Sequence, residues 1–271
     1  MENKCIFCLQ SGDIFHTVEH IVPESLGNTD DILMNCVCDK CQNYFGREIE
    51  NYILNKTPFG FWRTIAGTLN KKGKSPFFDF SQNPKSKVVP DFNSYTDNGV
   101  ILYPADNERI FEAVITNQSL FENINNGTKK CFNLVMTPKM LIYMGRFLGK
   151  IALEYWSKTY GDDVYRKDLD QIRKYVRYGT TQYIWSIMQN HLLENLLDYK
   201  AKGNFEEERT LYACSLYEIN SLILFNFDIG FERYSIFINQ KYPPSSIFSE
   251  QLLYALCKNT RGVPNILYYN L

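Results

Sequence analysis

The sequence has no apolar run near the roughly 18 residues that a membrane-crossing helix requires. It has no leader-like segment, since Cys5 and Cys8 fall where one would lie. Residues 88–271 show no internal repeats, low-complexity tract, Gly-rich phosphate loop or second catalytic constellation, so nothing there points to a repeat scaffold or a P-loop nucleotide site. These absences lead us to expect a soluble, cytoplasmic protein with no membrane partner. Charge of one sign is missing too: 29 Lys+Arg stand against 30 Asp+Glu, a net charge of −1. A chain that bound nucleic acid nonspecifically over its whole surface would be basic, so any such contact must rest on local patches. Aliphatic and aromatic residues are plentiful, at 45% hydrophobic and 15% aromatic, enough to pack one large or two modest domains.

The eight cysteines point to metal, not disulfides, in a chain expected to stay in a reducing compartment. Four of them form two Cys-x-x-Cys pairs, Cys5/Cys8 and Cys38/Cys41. Each short knuckle supplies two thiolates, and a tetrahedral zinc needs both. A unit of about fifty residues has too little core to fold unaided, so zinc would serve as its staple. Cys131, Cys214 and Cys257 are isolated and read as buried thiols. Cys36 could compete for zinc or belong to the core.

Inside the staple, Thr17 to Val22 is β-branched and alternating, hence a strand that Pro23 ends. Asn35–Cys38 reads as a second short strand. Phe45, Ile49, Tyr52 and Ile53 then mark one face of a helix. Strand, loop, strand and helix around a zinc, with Glu19-His20 on the first strand, resemble an HNH endonuclease of the ββα-metal type. The closest pattern is the subgroup with C-x-x-C, E-H-I-x-P and C-x-x-C. The resemblance implies His20 as general base and Glu19 as ligand of a catalytic Mg²⁺ or Mn²⁺. It implies that Asn35 holds the His20 loop by hydrogen bonds, and that an amide just after Cys41 is the second ligand. The family usually has Asn directly after the last cysteine; here Gln42 stands there and Asn43 follows, so either amide is a candidate. The chemistry suits these residue types: a hard cation needs one or two protein oxygens, and a histidine titrates near neutrality.

The charge is unevenly spread. Residues 1–62 carry four Lys/Arg against nine Asp/Glu, residues 63–87 six against one, and residues 129–178 eleven against five. The basic stretches read as a phosphate track or as solvated surface, with Lys71, Lys72 and Lys74 the candidate nucleic-acid contacts. His16, four residues before His20, could reach a phosphate or simply be an exposed strand residue. His191 reads as a hydrogen-bonded surface residue on a helix.

We therefore expect an α+β protein in three parts. Residues 1–60 form the zinc-stapled HNH unit, 61–87 a basic connector of loop character, and 88–271 a larger α+β domain that positions substrate or a partner. Phe59, Phe61 and Trp62 should pin the connector to the zinc unit. Strands are expected at 88–92, 99–104, 111–116 and 131–136. A core helix should run from the Thr137 cap to about Tyr160, followed by a helix over 168–178. Further on, a helix is expected over 183–196, then a three-strand meander and a short helix from Ser249. The implied function is metal-dependent hydrolysis of nucleic-acid phosphodiesters, DNA first, in the setting of restriction or phage defence that such proteins often serve. A homodimer or a protein partner would act through residues 88–271. The alternatives are a decayed zinc-bound interaction module, or a nuclease silent until a partner or ligand activates it.

Overall fold

The computed structural model of the chain describes residues 3–69, 73–74, 76–79, 100–104, 111–115, 118–127, 136–179, 184–193, 212–243 and 249–267. It begins with the cysteine knuckles and two very short antiparallel strands, β1 (Glu19–His20) and β2 (Ile32–Leu33). The second strand lies earlier than the expected Asn35–Cys38. Asn35 itself has a left-handed backbone, φ 59°, which breaks extension at that point. The β1 pairing is also shorter than the alternating run around it, because its partner offers only two residues.

The helix after the second knuckle runs as α1 (Asp39–Tyr44), a π-type stretch (Phe45–Glu50) and α2 (Asn51–Lys56). Its inner face is the expected one: Phe45, Ile49 and Ile53 are fully buried and Tyr52 half-buried. The π turn, closed by Asn51 N–H to the Gly46 carbonyl, widens the helix at this point without moving that face; such turns cluster at functional sites.

Where loop was expected, α3 (Pro58–Ala66) is a helix, with Pro58 in the first turn and Gly67 left-handed at its end. Phe59, Trp62 and Ile65 line one buried face. Phe59 and Trp62 share the core of the zinc unit, with Phe45 and Ile53, but stand on a helix and not on a loop, and they also reach beyond that unit. Phe59 packs on Phe147, Phe227 and Tyr234, while Trp62 meets Phe231. At the turn below that ring, Gly230 has φ 62° and a Cβ there would sit 2.2 Å from Trp62, so only glycine fits.

A small sheet follows, in the order β3 (Phe78–Asp79), β4 (Val100–Pro104), β5 (Phe111–Ile115), and then α4 (Gln118–Asn125). The expected strands at 88–92 and 131–136, and Cys131, fall outside the described residues except for Met136. The long helix α5 (Pro138–Tyr160) starts as expected, with the Thr137 side chain accepting from Met140 N–H. It is buried on nearly all sides, and α6 (Asp170–Tyr178) lies close against it. A Cβ at Gly149 would come within 2.7 Å of Val176.

The remainder is a five-stranded antiparallel sheet ordered β10-β6-β9-β8-β7. The meander β7 (Tyr212–Ile219), β8 (Leu222–Ile229), β9 (Glu232–Phe237) and the helix α7 (Glu250–Cys257) are as expected; β10 (Asn265–Leu267) was not anticipated. The expected helix over 183–196 is instead β6 (Ile187–His191) within its described part, residues 184–193. Its apolar residues can serve either period, and pairing between β9 and β10 decides for strand. His191 is exposed, as expected, but on that strand. Cys214 and Cys257 are only half-buried. One continuous core joins Cys5, Phe7, Phe45 and Ile53 to α5, α6 and the inner face of the sheet. No helix among the described residues is long and apolar enough to cross a membrane.

Candidate active site and metal centre

The first centre is the cysteine cluster. The sulfurs of Cys5, Cys8, Cys38 and Cys41 all lie within 4.8 Å of one another, and Cys8 and Cys38 are 3.6 Å apart. Thiolates bonded to zinc at about 2.3 Å in a tetrahedron would sit roughly 3.8 Å from each other, so the cluster fits a structural zinc. Four such thiols cannot all ionise unaided. The Cys5 thiol is pushed down to about 5, first by its hydrogen bond with Cys41, whereas burial pushes Cys38 up to about 11. A divalent ion removes that conflict. Cys36 lies outside the cluster, its thiol turned to the Met34 carbonyl at 3.2 Å. Two arginines of α6 brace the knuckles: Arg177 Nε donates to Cys41 Sγ at 3.2 Å and Arg173 Nε to the Ile6 carbonyl at 2.7 Å. Donors to a ligand sulfur stabilise its charge.

The second centre is a cleft of about 680 Å³ between β1, the turn after it, the helix 39–56 and α3. Glu19, His20, Glu24, Gln42, Asn43, Glu50 and Arg63 are among its lining residues. β1 ends at His20, and Pro23 caps a single 3-10 turn, Glu24–Leu26. That turn brings Glu24 back over His20, whose Nε2 lies 3.0 Å from Glu24 Oε1. The carboxylate accepts, so the ring proton sits on Nε2, and Nδ1 is buried with no hydrogen-bond partner among the described residues. The imidazole is thus oriented by one acid and keeps one lone pair unused.

Glu19 is buried and its Oε1 meets Lys150 Nζ at 2.7 Å. This lysine, from the middle of α5, is fully buried and also contacts Glu50 at 3.2 Å and Glu154 at 3.0 Å. It reaches the His20 and Ile21 carbonyls at 3.4 Å each, and so ties β1 to the core helix. Burial raises the Glu19 carboxyl above its usual range, with Lys150 pulling the other way. For Lys150 burial would lower the value, but Glu154, Glu19 and Glu50 outweigh it and hold the ammonium well above its usual range. Glu154, equally buried, is itself raised by desolvation.

The loop between β1 and β2 is held by Asn28, not Asn35. Asn28 Nδ2 donates to the Val22 carbonyl at 2.7 Å and the Asp31 carbonyl at 2.9 Å, and its Oδ1 accepts from Asp31 N–H at 2.9 Å. Asn35 is exposed and makes no such bond among the described residues. Gln42 uses both ends of its amide: Oε1 accepts from Thr17 Oγ1 at 2.7 Å, and Nε2 donates to the Thr17 and Val37 carbonyls, each at 3.1 Å. Asn43, about 100° further round the helix, is exposed at the cleft. His16 is exposed on a loop, not on a strand, with Nδ1 2.6 Å from Asp39 Oδ2. Lys74 is exposed away from the cleft lining, and Lys71 and Lys72 lie outside the described residues. Of the basic groups in 129–178, Arg146, Lys150 and Arg173 are buried, so they are struts, not surface.

Glu24, Asn28, Glu50, Arg63 and Lys150 escaped the sequence reading. Lys150 and Glu154 did leave a trace, a charged pair four apart in a helix apolar on all sides, where an unpaired charge would not survive. The cleft offers carboxylate and amide oxygens, the donor set that suits Mg²⁺ or Mn²⁺ over softer ions.

Residues 5–58 match the family of HNH endonucleases. The amino-terminal part of this α+β chain is therefore an HNH unit, a stretch that carries the cysteine cluster and the Glu19–His20 strand, with a larger domain downstream. The match points to a nuclease-type function and to binding of nucleic acid. No curated protein and no solved structure matches the chain.

Proposed function

We propose that the protein is a metal-dependent endonuclease that hydrolyses phosphodiester bonds, most naturally those of DNA. The observation that carries this reading is His20: it lines a cleft rich in oxygen ligands, Glu24 orients its ring through Nε2, and Nδ1 has no hydrogen-bond partner among the described residues. Such a histidine can take a proton from water attacking phosphorus. Glu19 and Asn43 would hold a divalent ion, which when bound supplies charge stabilisation at the phosphate. Lys150 keeps Glu19 in place from the core side, and Gln42 braces the strand entry at Thr17 instead of serving as ligand. Asn28 fixes the loop in the part that the resemblance gave to Asn35. The four cysteines hold zinc as the staple.

Purified protein with plasmid DNA and Mg²⁺ or Mn²⁺ tests the reading. His20→Ala should cut on the order of a hundredfold more slowly, with zinc content unchanged. In the same assay Asn43→Ala should lose activity that rising Mn²⁺ partly restores, whereas Gln42→Ala should show its effect mainly as a lower melting temperature. Undiminished cutting by His20→Ala would move the base elsewhere. A wild-type protein that binds zinc and never cuts DNA or RNA would leave the interaction-module reading.

A further inference from the structure

Arg63 stands on α3, outside the residues that match the HNH family. Only 8% of it is exposed, yet it lines the cleft that holds His20 and Glu19. Its Nε is buried without a hydrogen-bond partner, and no ion pair or hydrogen bond to its guanidinium is found among the described residues. The other buried arginines among the described residues are all satisfied: Arg146 by the Val176 carbonyl and Tyr44, Arg173 by Ile6, and Arg233 by Asp228. Burial lowers the Arg63 pKa, with no acid opposing it, although a guanidinium stays charged at any physiological pH. A buried charge without a partner costs stability. It persists most readily where a ligand supplies the missing anion during function.

Resting on the nuclease reading of this cleft, we infer that Arg63 is a binding residue for a backbone phosphate of the nucleic acid, supplied to the HNH unit by the helix that follows it. The cleft is otherwise lined by the carboxylates Glu19, Glu24 and Glu50, which repel phosphate unless cations intervene. Arg63 is its one buried cation without a protein partner among the described residues. A guanidinium presents several donors in a fixed fork, matched to a phosphate's oxygens. Placed there, it orients the phosphate and offsets the charge that grows on its oxygens during hydrolysis.

The test uses the full-length, zinc-loaded protein in three forms: wild type, Arg63→Met and Arg63→Lys. Melting temperature comes first. A residue built in for stability would lower it when replaced, whereas an unpaired charge kept for a ligand leaves it equal or higher in Arg63→Met. Binding of a short DNA duplex and a short RNA duplex is then measured in the His20→Ala background, with Mg²⁺, over a range of salt. Arg63→Met should weaken binding and reduce the salt-dependence slope by about 0.9, one phosphate contact, with Arg63→Lys recovering part of both. Where wild type cuts, Arg63→Met should slow cleavage about a hundredfold or more. Equal binding and an equal slope in Arg63→Met would overturn the inference, as would no duplex binding by any form, or a drop in melting temperature without a change in slope. A protein that never cuts but shows the Arg63 slope change would sink the nuclease reading and leave this one standing.

Discussion

The carboxy-terminal sheet and the HNH unit are built by opposite means. In the sheet, β7 and β8 pair over eight residues, from Tyr212↔Ile229 to Ile219↔Leu222, and a two-residue turn at Asn220-Ser221 sets the register. The backbone holds itself. In the HNH unit, β1 and β2 share two residue pairs; beyond these, the Lys4–Ser11 bridge and scattered backbone bonds such as Ile6 N–H to the Cys36 carbonyl, the chain from Lys4 to Asp39 leans on side chains. The cysteine sulfurs clamp its two ends. Arg173 takes the Ile6 carbonyl, Lys150 the His20 and Ile21 carbonyls, and Lys158 pairs with Asp31 at 2.6 Å. The cleft beside β1 is built from irregular backbone and aimed polar groups, and much of its support comes from α5 and α6. The difference teaches that the unit carrying the motif is not the unit that stabilises it.

The sharpest way to break that comparison is to remove the clamp. Elemental analysis should find about one zinc per wild-type chain, and Cys38→Ser should lose it. Structural zinc supplies roughly 10 kcal/mol or more in small domains, the largest effect expected here. Because Phe7, Phe45 and Ile53 share one core with α5 and the sheet, amide protection should fall in β7–β9 as well as in residues 3–57. Protection retained in the sheet and lost only in the first sixty residues would show that the two regions fold separately.

The next largest effect is expected at the strut. Lys150→Met leaves Glu19, Glu50 and Glu154 facing one another without a cation, and breaking a buried pair of this kind costs about 3–5 kcal/mol. Lys150→Met with Glu154→Leu should recover part of that loss, because an apolar pair replaces an ionic one, while Glu19 and Glu50 remain uncompensated. Denaturant unfolding of the two variants measures both. A loss under about 1 kcal/mol in the single variant would place Lys150 among ordinary exposed pairs and detach the HNH unit from α5.

The same contrast explains what could be read in the residues beforehand. The meander was legible because apolar runs over 211–238 are broken by Asn220-Ser221 and Gly230, and the pattern and the turns agree. The cysteine centre was legible because thiol spacing is set by coordination geometry alone. Glu19 and His20 stood out by the motif around them. Their partners did not, since Lys150 lies 130 residues from His20 and no local pattern encodes that reach. Asn28 was not singled out because the resemblance gave the loop-holding role to Asn35 at the expected start of the second strand, where the backbone is in fact left-handed. Residues 58–66 looked like loop because Gly, Lys, Pro and Ser punctuate the stretch from Asn55 to Lys87 to which they belong. Pro58 in fact opens a helix, and Gly60 admits the Leu54 carbonyl, 2.4 Å from where a Cβ would stand. Residues 187–191 satisfied two periods, and the sheet edge chose between them.

The smallest expected effect lies at the outer wall of the cleft, where the HNH unit supplies its own brace. Asp39, in the first turn of α1, accepts from the His16 and Thr17 N–H groups and from Thr17 Oγ1, and its Oδ2 meets the His16 ring. Its carboxyl is held down to about 2, first by the hydrogen bond from His16. His16 is raised above 6.5, first by the hydrogen bond to Asp39, with Asp13 at 3.3 Å adding to it. The signs are opposite. The Asp39 contribution is complete above about 3.8 and is lost as pH falls through about 2. The His16 contribution is complete below about 6.5 and is lost as pH rises through its higher folded value. Both are in force only between about pH 4 and 6.5. The melting-temperature difference between wild type and His16→Ala should therefore be greatest in that window and shrink on the alkaline side. Asp39→Ala should remove the same difference at every pH, since the ring then has only exposed Asp13 to meet. A wild-type advantage over His16→Ala that holds or grows above pH 8 would mean that the neutral ring, through packing or its N–H alone, braces this wall, and that the ion pair contributes nothing.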